Sequence, residues 1–370
     1  MMLLFQRKLY QPPRKRNKKL VTMQILVWGN SPIAGWIAGK LHLAQHQVKW
    51  LSDDNIVKNV ERFRGLYLQA PNEQTIVRSL PLSSSIDEFL RPPIDWIILA
   101  MPTWAISQIA YEMARRIPAK NCPSILIISD GIGAREKVRS LFEETPIIQA
   151  FSTRLFQWTI LADGQPAYES IISNNRGGIA LTASEKDVEA ELLFKQAGIH
   201  NVKIHPAQSL EWSSLLWQIQ VNALPALLRV SPETVYDEEE LFNIEYRQLR
   251  EAIQIIDLQK IPLVDLPEVA LRRLGWQIRI LPPNLLKKVL RPNIKPSSLF
   301  AELSLKTGRS DAAYLNGIVA KTAHDIGIAA PVNYTLAVSV TDIAEGRIMW
   351  EQFTLDYLHT LLRIAERHIT

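Results

Sequence analysis

Residues 23–53 read MQILVWGNSPIAGWIAGKLHLAQHQVKWLSD, and the order of residue types within them decides the fold. An apolar run, Ile25 to Trp28, stops at Gly29; Pro32 then opens a segment of helical period that lasts through Leu43. A second apolar run, Val48 to Leu51, ends in Ser52 and Asp53. The order is strand, tight turn, helix, strand. Such a turn gathers unpaired backbone N–H groups at the positive end of a helix, which suits a dinucleotide pyrophosphate. Gly29, Asn30 and Ser31 are therefore candidate cofactor-binding residues, and Asp53 closes the second strand where a ribose would lie. The GxGxxG fingerprint is kept at one of its three places, which fall on Gly29, Ser31 and Ala34, with Gly35 one residue late. The same residues equally suit a purely structural strand-to-helix turn.

Outward from this unit, alternation in Gly65 to Val77 around Pro71-Asn72 predicts a hairpin at the sheet edge. Ile94 to Ala100 and Ser124 to Ser129 are continuous apolar runs, as expected of strands buried on both faces. The first leads into Met101-Pro102-Thr103-Trp104 and a helix over 105–116; the second ends in Asp130-Gly131-Ile132-Gly133. Strands alternating with helices imply a Rossmann-like, doubly wound, mostly parallel sheet. Its crevice lies beyond the carboxyl ends of the strands, so Gly29, Asp53, 101–104 and 129–133 should converge there. Ile147 to Leu181 reads as antiparallel strands closing the sheet, followed by a helix over 184–196. After His205-Pro206 the period becomes helical, with candidates at 210–228, 238–258, 266–274, 310–326 and 351–369. The expected organisation is a leader over 1–22, a dinucleotide-binding domain over 23–206 and an all-helical substrate domain over 207–370.

Composition narrows the function. A chain of 370 residues that is 47% hydrophobic can hold two substantial cores. Its single cysteine, Cys122, excludes an internal disulfide, which fits a reducing cytoplasm. The seven histidines form no HExxH motif, and His42 and His46, four apart, read best as surface or half-buried side chains. Net charge is +5, but residues 1–22 hold seven basic residues and no acid, which leaves −2 for the remainder. The body is not a nucleic-acid surface, and the leader is too short in apolar residues to be a membrane span. Because Met23 opens the first strand directly, the leader reads as a start assigned too early, or as a disordered basic arm.

The second half carries the motifs that discriminate. Residues 211–226, EWSSLLWQIQVNALPA, resemble the first C-domain helix of ketopantoate reductases, whose pattern is WxKLxxNxxxNPLxA. Ser297-Ser298-Leu299 with 310–317, SDAAYLNG, is similar to that family's SSMxxD…TEIDxxNG, and 324–333, HDIGIAAPVN, to its AxxxGIxxPxN. Together with the opening unit and the DGIG loop (family NGxG), the resemblance runs in order from Met23 to about Tyr334.

It implies 2-dehydropantoate 2-reductase chemistry, as in pantothenate biosynthesis: hydride passes from NADPH to a small 2-keto acid, and a homodimer has family precedent. The departures fall on functional places. The family's catalytic lysine falls on Ser214 and its glutamate on Asp311, which are thus the catalytic candidates. Gln218, Asn222 and Ser298 occupy the substrate-binding places, Pro102 replaces a second lysine, and the asparagine of NGxG is Asp130, a cofactor-side candidate. A charged donor aimed at a developing alkoxide is worth on the order of 3 to 4 kcal/mol, and serine does not match it. Either another cation serves, with Lys295, Lys306 and Arg309 nearby and each otherwise a solvated surface residue, or ketopantoate is not the substrate. The cofactor signals also conflict: the resemblance implies NADP, whereas a carboxylate at Asp53 accepts from a free 2′-OH and so favours NAD. A diverged homologue that keeps the nucleotide fold without turnover is the competing reading.

Overall fold

The computed structural model describes residues 22–90, 93–291 and 295–367; apart from Thr22, the leader lies outside them. The first half contains β1 Gln24–Trp28, α1 Pro32–Leu43, β2 Gln47–Leu51, α2 Asp54–Arg62, β3 Leu66–Ala70, β4 Glu73–Val77, β5 Leu82–Ser83, α3 Ile86–Phe89 and β6 Trp96–Ala100. It continues with α4 Thr103–Ala114, β7 Ser124–Ile128, α5 Ala134–Arg139, β8 Ile147–Ser152, β9 Phe156–Ile160, β10 Pro166–Ser173, β11 Ile179–Thr182, α6 Asp187–Gln196 and β12 Val202–His205. Eight strands form the main sheet in the order β12-β11-β8-β7-β6-β1-β2-β5. Every neighbouring pair in it is parallel except β8 with β11.

Alternation within β1 explains how one strand serves two cores. Ile25 and Val27 pack on the face that holds Trp36, Trp50 and Phe194, while Leu26 and Trp28 pack on the face that holds Ile106, Met113 and Phe142. All five residues of β6 are buried, as a central parallel strand covered on both faces requires.

Two expectations are corrected. The hairpin β3–β4 does not edge the main sheet; it pairs with β10, and the order β4-β3-β10-β9 makes a separate four-stranded sheet. The segment expected to close the main sheet with antiparallel strands is divided: β8 runs parallel to β7, β9 and β10 join the small sheet, and β11 reverses, with β12 parallel to it. The cause is α1. Seven of its residues, from Ala34 to Leu41, are buried, and a helix apolar all round needs cover on both sides. The main sheet supplies one side and the small sheet the other. A Cβ on Gly39 would lie 3.0 Å from Leu68 of β3 and Val77 of β4.

From 207 onward the described residues are helical apart from loops and an isolated bridge between Leu266 and Val269: α7 Ala207–Gln218, α8 Ala223–Leu228, α9 Pro232–Asp237, α10 Glu239–Leu258, α11 Leu271–Ile280, α12 Pro283–Leu290, α13 Ser298–Leu305, α14 Asn316–Asp325, α15 Pro331–Ala344 and α16 Leu355–Arg367, with 3-10 turns over Asp311–Tyr314 and Trp350–Gln352. Their shared core also takes in Phe151 of β8 and Ala180 of β11, so the helical half is seated on the sheet. Among the described residues, no helix is long and apolar enough to cross a membrane, and no cluster of three metal-ligating side chains occurs.

Candidate functional site

At the end of β1, Gly29 takes φ +151°, and an added Cβ would stand 2.0 Å from the Ala100 carbonyl oxygen of β6. Only glycine fits so close an approach. Its own carbonyl accepts from Trp50 Nε1 at 2.9 Å and Ser52 Oγ at 3.1 Å, which turns the chain out over the strand ends. Ser31 caps α1, its Oγ accepting from Ala34 N and donating to Ala100 O. The backbone N–H groups of Asn30 and Ser31 make no bond to the described residues. Gly35, one place late by the fingerprint, still fills the role of the fingerprint's third glycine. A Cβ there would meet Ile171 and Trp50 at 2.7 and 2.8 Å, so Gly35 allows α1 to pack closely on the sheets. Asp53 caps α2, accepting from Ile56 N, while its other oxygen accepts from Asn30 Nδ2 at 3.2 Å. The free amides, the helix end and this exposed carboxylate fit a dinucleotide: the first two would hold a pyrophosphate and Asp53 a ribose.

Across the crevice, α7 approaches the end of β7. Gln218 Nε2 donates to Asp130 Oδ1 at 2.7 Å, joining the two halves of the chain. Lys295 Nζ donates to the Gln218 carbonyl at 3.1 Å and to Gln218 Oε1 at 3.4 Å, with the Trp217 ring 5.2 Å away. Of the three cations considered from sequence, Lys306 and Arg309 are exposed, Arg309 lying over the Trp104 ring, whereas Lys295 is 9% exposed. Burial pulls the Lys295 ammonium down to about 8, opposed by the charges of Asp130 and Glu245. Burial likewise raises the Asp130 carboxyl, which Lys295 opposes. The repulsion of an anionic substrate expected from Asp130 is thereby reduced.

Asn222 is fully buried and acts as a tie: its Nδ2 donates to Gln218 O and Ser298 Oγ, and its Oδ1 accepts from Ser297 Oγ and Leu299 N. It thereby fixes α13 to the end of α7. Ser214, one turn before Gln218 and on the same face, is fully buried, and its Oγ has no hydrogen-bond partner among the described residues. Asp311 is committed elsewhere. Its two oxygens accept from the Thr103 and Trp104 amides at the start of α4, both at 2.9 Å. Burial raises its carboxyl, against these hydrogen bonds, and Glu302, which accepts from Asp311 N, is raised by burial and by Asp311 itself. Thr103 Oγ1 accepts from Gly131 N and Tyr314 O from Ile132 N, so the DGIG loop is locked to the 311–314 turn.

The structure thus brings Asp130, Gln218, Asn222 and Ser298 into one connected cluster with Lys295, and sets Ser214 on the same face of α7. Gly29, Asn30, Ser31 and Asp53 form a second group at the ends of β1 and β2, and Asp311 is linked to the first through Thr103 and Gly131. Of two surface grooves of the helical half, the one along α10 and α11 is lined by none of the predicted site residues, and the one around 302–309 includes only the candidate cations Lys306 and Arg309. The residues expected to form one helix over 210–228 are broken at 219–222. Pro225 is the cause: its ring excludes the carbonyl four residues back, that of Val221, from a continuous helix. Val221 accordingly sits at φ +47°, its N–H donating to Glu245 Oε1 of α10 at 2.9 Å, and Gln248 Nε2 caps Ile219 O. In the sequence Glu245 and Gln248 look like ordinary polar interruptions of a helix, and Pro225 is the one signal of the break they serve.

A mostly parallel, doubly wound sheet with a helical half packed against it is the architecture of the chain. Residues 25–164 match the family model described as ketopantoate reductase PanE/ApbA, and 207–344 match that of its C terminal. The chain belongs to the ketopantoate reductase family. No curated protein matches it in sequence. Among solved structures, the PanE/ApbA family ketopantoate reductase of Ralstonia eutropha aligns with a TM-score of 0.72 at 18% identity, over 88% of this chain and 99% of that one. The 2-dehydropantoate 2-reductase of Geobacter metallireducens gives 0.67 at 17%, over 86% and 99%. D-mandelate dehydrogenase, solved with NADH and anilino(oxo)acetate, gives 0.66 at 15%, over 88% and 99%.

Proposed function

We propose that this protein is a cytoplasmic NAD(P)H-dependent oxidoreductase that reduces a small 2-keto acid, a reaction of the kind that turns ketopantoate into pantoate. The observation that carries the reading is the Gln218–Asp130 hydrogen bond, which sets a polar cluster of the helical half against the end of β7, where an open α/β sheet binds its ligand. The nucleotide would lie along Gly29, Asn30 and Ser31, with Asp53 at its ribose. Family precedent supports NADPH; the Asp53 carboxylate supports NADH, the cofactor in the D-mandelate dehydrogenase complexes.

Ser214 and the committed Asp311 favour a second reading, a homologue that retains nucleotide binding and has lost ketopantoate turnover. Oxidation of NADH and of NADPH, followed with ketopantoate and a panel of 2-keto acids, separates the two. The first reading expects turnover on at least one keto acid, with ketopantoate poor because the α7 lysine is missing. Tight nucleotide binding without oxidation on any of them establishes the second.

A further inference from the structure

We infer that Lys295, which reaches the cluster from the segment before α13, is the proton donor of this site and does the work that Ser214 cannot do from α7. The inference rests on the keto-acid reductase reading above.

Its basis is a buried cation with no ion-pair partner among the described residues, held by Gln218 and the Trp217 ring. Lys295 is 9% exposed, yet among the described residues no carboxylate lies within ion-pair distance of Nζ. The ammonium carries three N–H donors, and Gln218 alone takes two, through its main-chain and side-chain oxygens. Burying a lysine in this way is costly, and structural lysines are almost always paired or solvated. The third donor has no partner among the described residues. The same Gln218 amide holds Asp130 at the end of β7, so Nζ sits one residue away from the crevice wall. On α7, one turn before Gln218, the Ser214 hydroxyl is buried with no partner among the described residues. A buried ammonium with a spare donor, joined through Gln218 to the end of β7, suits an oxygen-rich ligand such as a 2-keto acid.

In the reaction, the carbonyl carbon accepts hydride from NAD(P)H, which is oxidised to NAD(P)⁺, and the π pair of the C=O bond moves to oxygen. That oxygen takes a proton from Nζ; an N–H bond breaks, an O–H bond forms, and the neutral amine left behind is reprotonated from solvent. An ammonium brought down to about 8 suits this step, being charged at neutral pH and a far better acid than a solvated lysine. Asp130 and Glu245 are the charged groups that face it, and both hold it protonated.

Three measurements test the assignment. In wild-type protein, the rate of keto-acid reduction should fall as pH passes about 8, and the reverse oxidation should rise over the same range. Lys295→Met and Lys295→Arg should each lower kcat at least about a hundredfold, the usual range for a lost general acid. The Arg variant should preserve KM, since it keeps the charge and cannot give up the proton. Independently of turnover, the ¹³Cε resonance of Lys295, identified by its loss in Lys295→Met, should titrate near 8 and shift when oxamate, a keto-acid mimic, is added. A wild-type reduction rate that is flat from pH 7 to 10, a kcat of either variant within tenfold of wild type, or a resonance titrating like an ordinary solvated lysine would overturn the role of Lys295 while leaving the reductase reading standing. A wild-type protein inactive on every keto acid overturns that reading and the donor with it.

Discussion

Gly29 shows how much one residue carries. At φ +151°, with the Ala100 carbonyl 2.0 Å from any added Cβ, Gly29→Ala forces β1 away from β6 at the centre of the sheet. Overpacking of this kind costs roughly 1 to 3 kcal/mol, and here the obstacle is backbone, so the upper end is expected, with nucleotide binding lost as well. Urea unfolding and nicotinamide fluorescence check the two effects; an alanine variant as stable as wild type would show that the turn is looser than described. Asp53 decides a different question. One of its oxygens caps α2 and the other accepts from Asn30, so the carboxylate is held at the end of β2 and would repel a 2′-phosphate. NADH should therefore bind at least about tenfold more tightly than NADPH, a difference of ~1.4 kcal/mol. Asp53→Ser, which keeps a capping side chain, should remove the preference. Equal dissociation constants for both nucleotides in the wild type would show that Asp53 serves α2 alone.

Among the elements, the α7–α8 break organises the site. Pro225 breaks the helix at Val221, and the groups set free are taken up by Glu245, Gln248 and Asn222. Gln218 is left at the last turn of α7, where its carbonyl is open to Lys295. Glu245 is wholly buried, and burial lifts its carboxyl to about 7 against the hydrogen bonds from Val221 N and Gln248. Glu245→Ala should cost about 1 to 3 kcal/mol, the usual loss when a buried donor is left unsatisfied, whereas Glu245→Gln retains an acceptor and should cost less. Denaturant midpoints decide this, and equal losses in both variants would assign the effect to packing. The run 210–228 looked like a single helix because its apolar spacing is unbroken. A proline inside such a run signals a break or a kink, and only the presence of α10 opposite Val221 makes a break of this depth tolerable.

Over the whole molecule, the two halves meet through polar groups that are buried as they meet. Arg135 pairs with Glu211, Thr153 donates to Pro267 O, and Lys203 donates to Leu266 O. Glu211, Glu245, Glu251, Glu302, Asp130 and Asp311 all have carboxyls raised, chiefly by burial. Each binds a proton more readily when folded than when unfolded, so stability is greatest below these raised values and declines as pH rises through them. His205, lowered by burial, acts the other way near its ordinary value, but it is one group against six. Lys295, also lowered, costs stability below about 8 and ceases to do so toward the ordinary lysine range. The melting temperature should therefore be higher at pH 5.5 than at pH 8. A melting temperature that rises steadily over this interval would mean that these carboxyls ionise freely in the folded protein.

What the sequence determined by itself is local and periodic. The strand–turn–helix–strand opening, the buried runs Trp96–Ala100 and Ser124–Ile128, and the change to helical period after Pro206 all depend on neighbours a few residues apart, whose spacing the chain displays directly. The tertiary structure alone decided the rest. Asp130, Gln218 and Lys295 meet across separations of 88 and 77 residues, and no period links them. In sequence, Lys295 had the same weight as Lys306 and Arg309, because a lysine's role depends on whether water or protein surrounds its ammonium. Asp311 is a catalytic candidate in the sequence, and only the fold sets the two α4 amides against its carboxylate. Burial and partnership give a polar side chain its acidity and its charge, and both are properties of the packed chain.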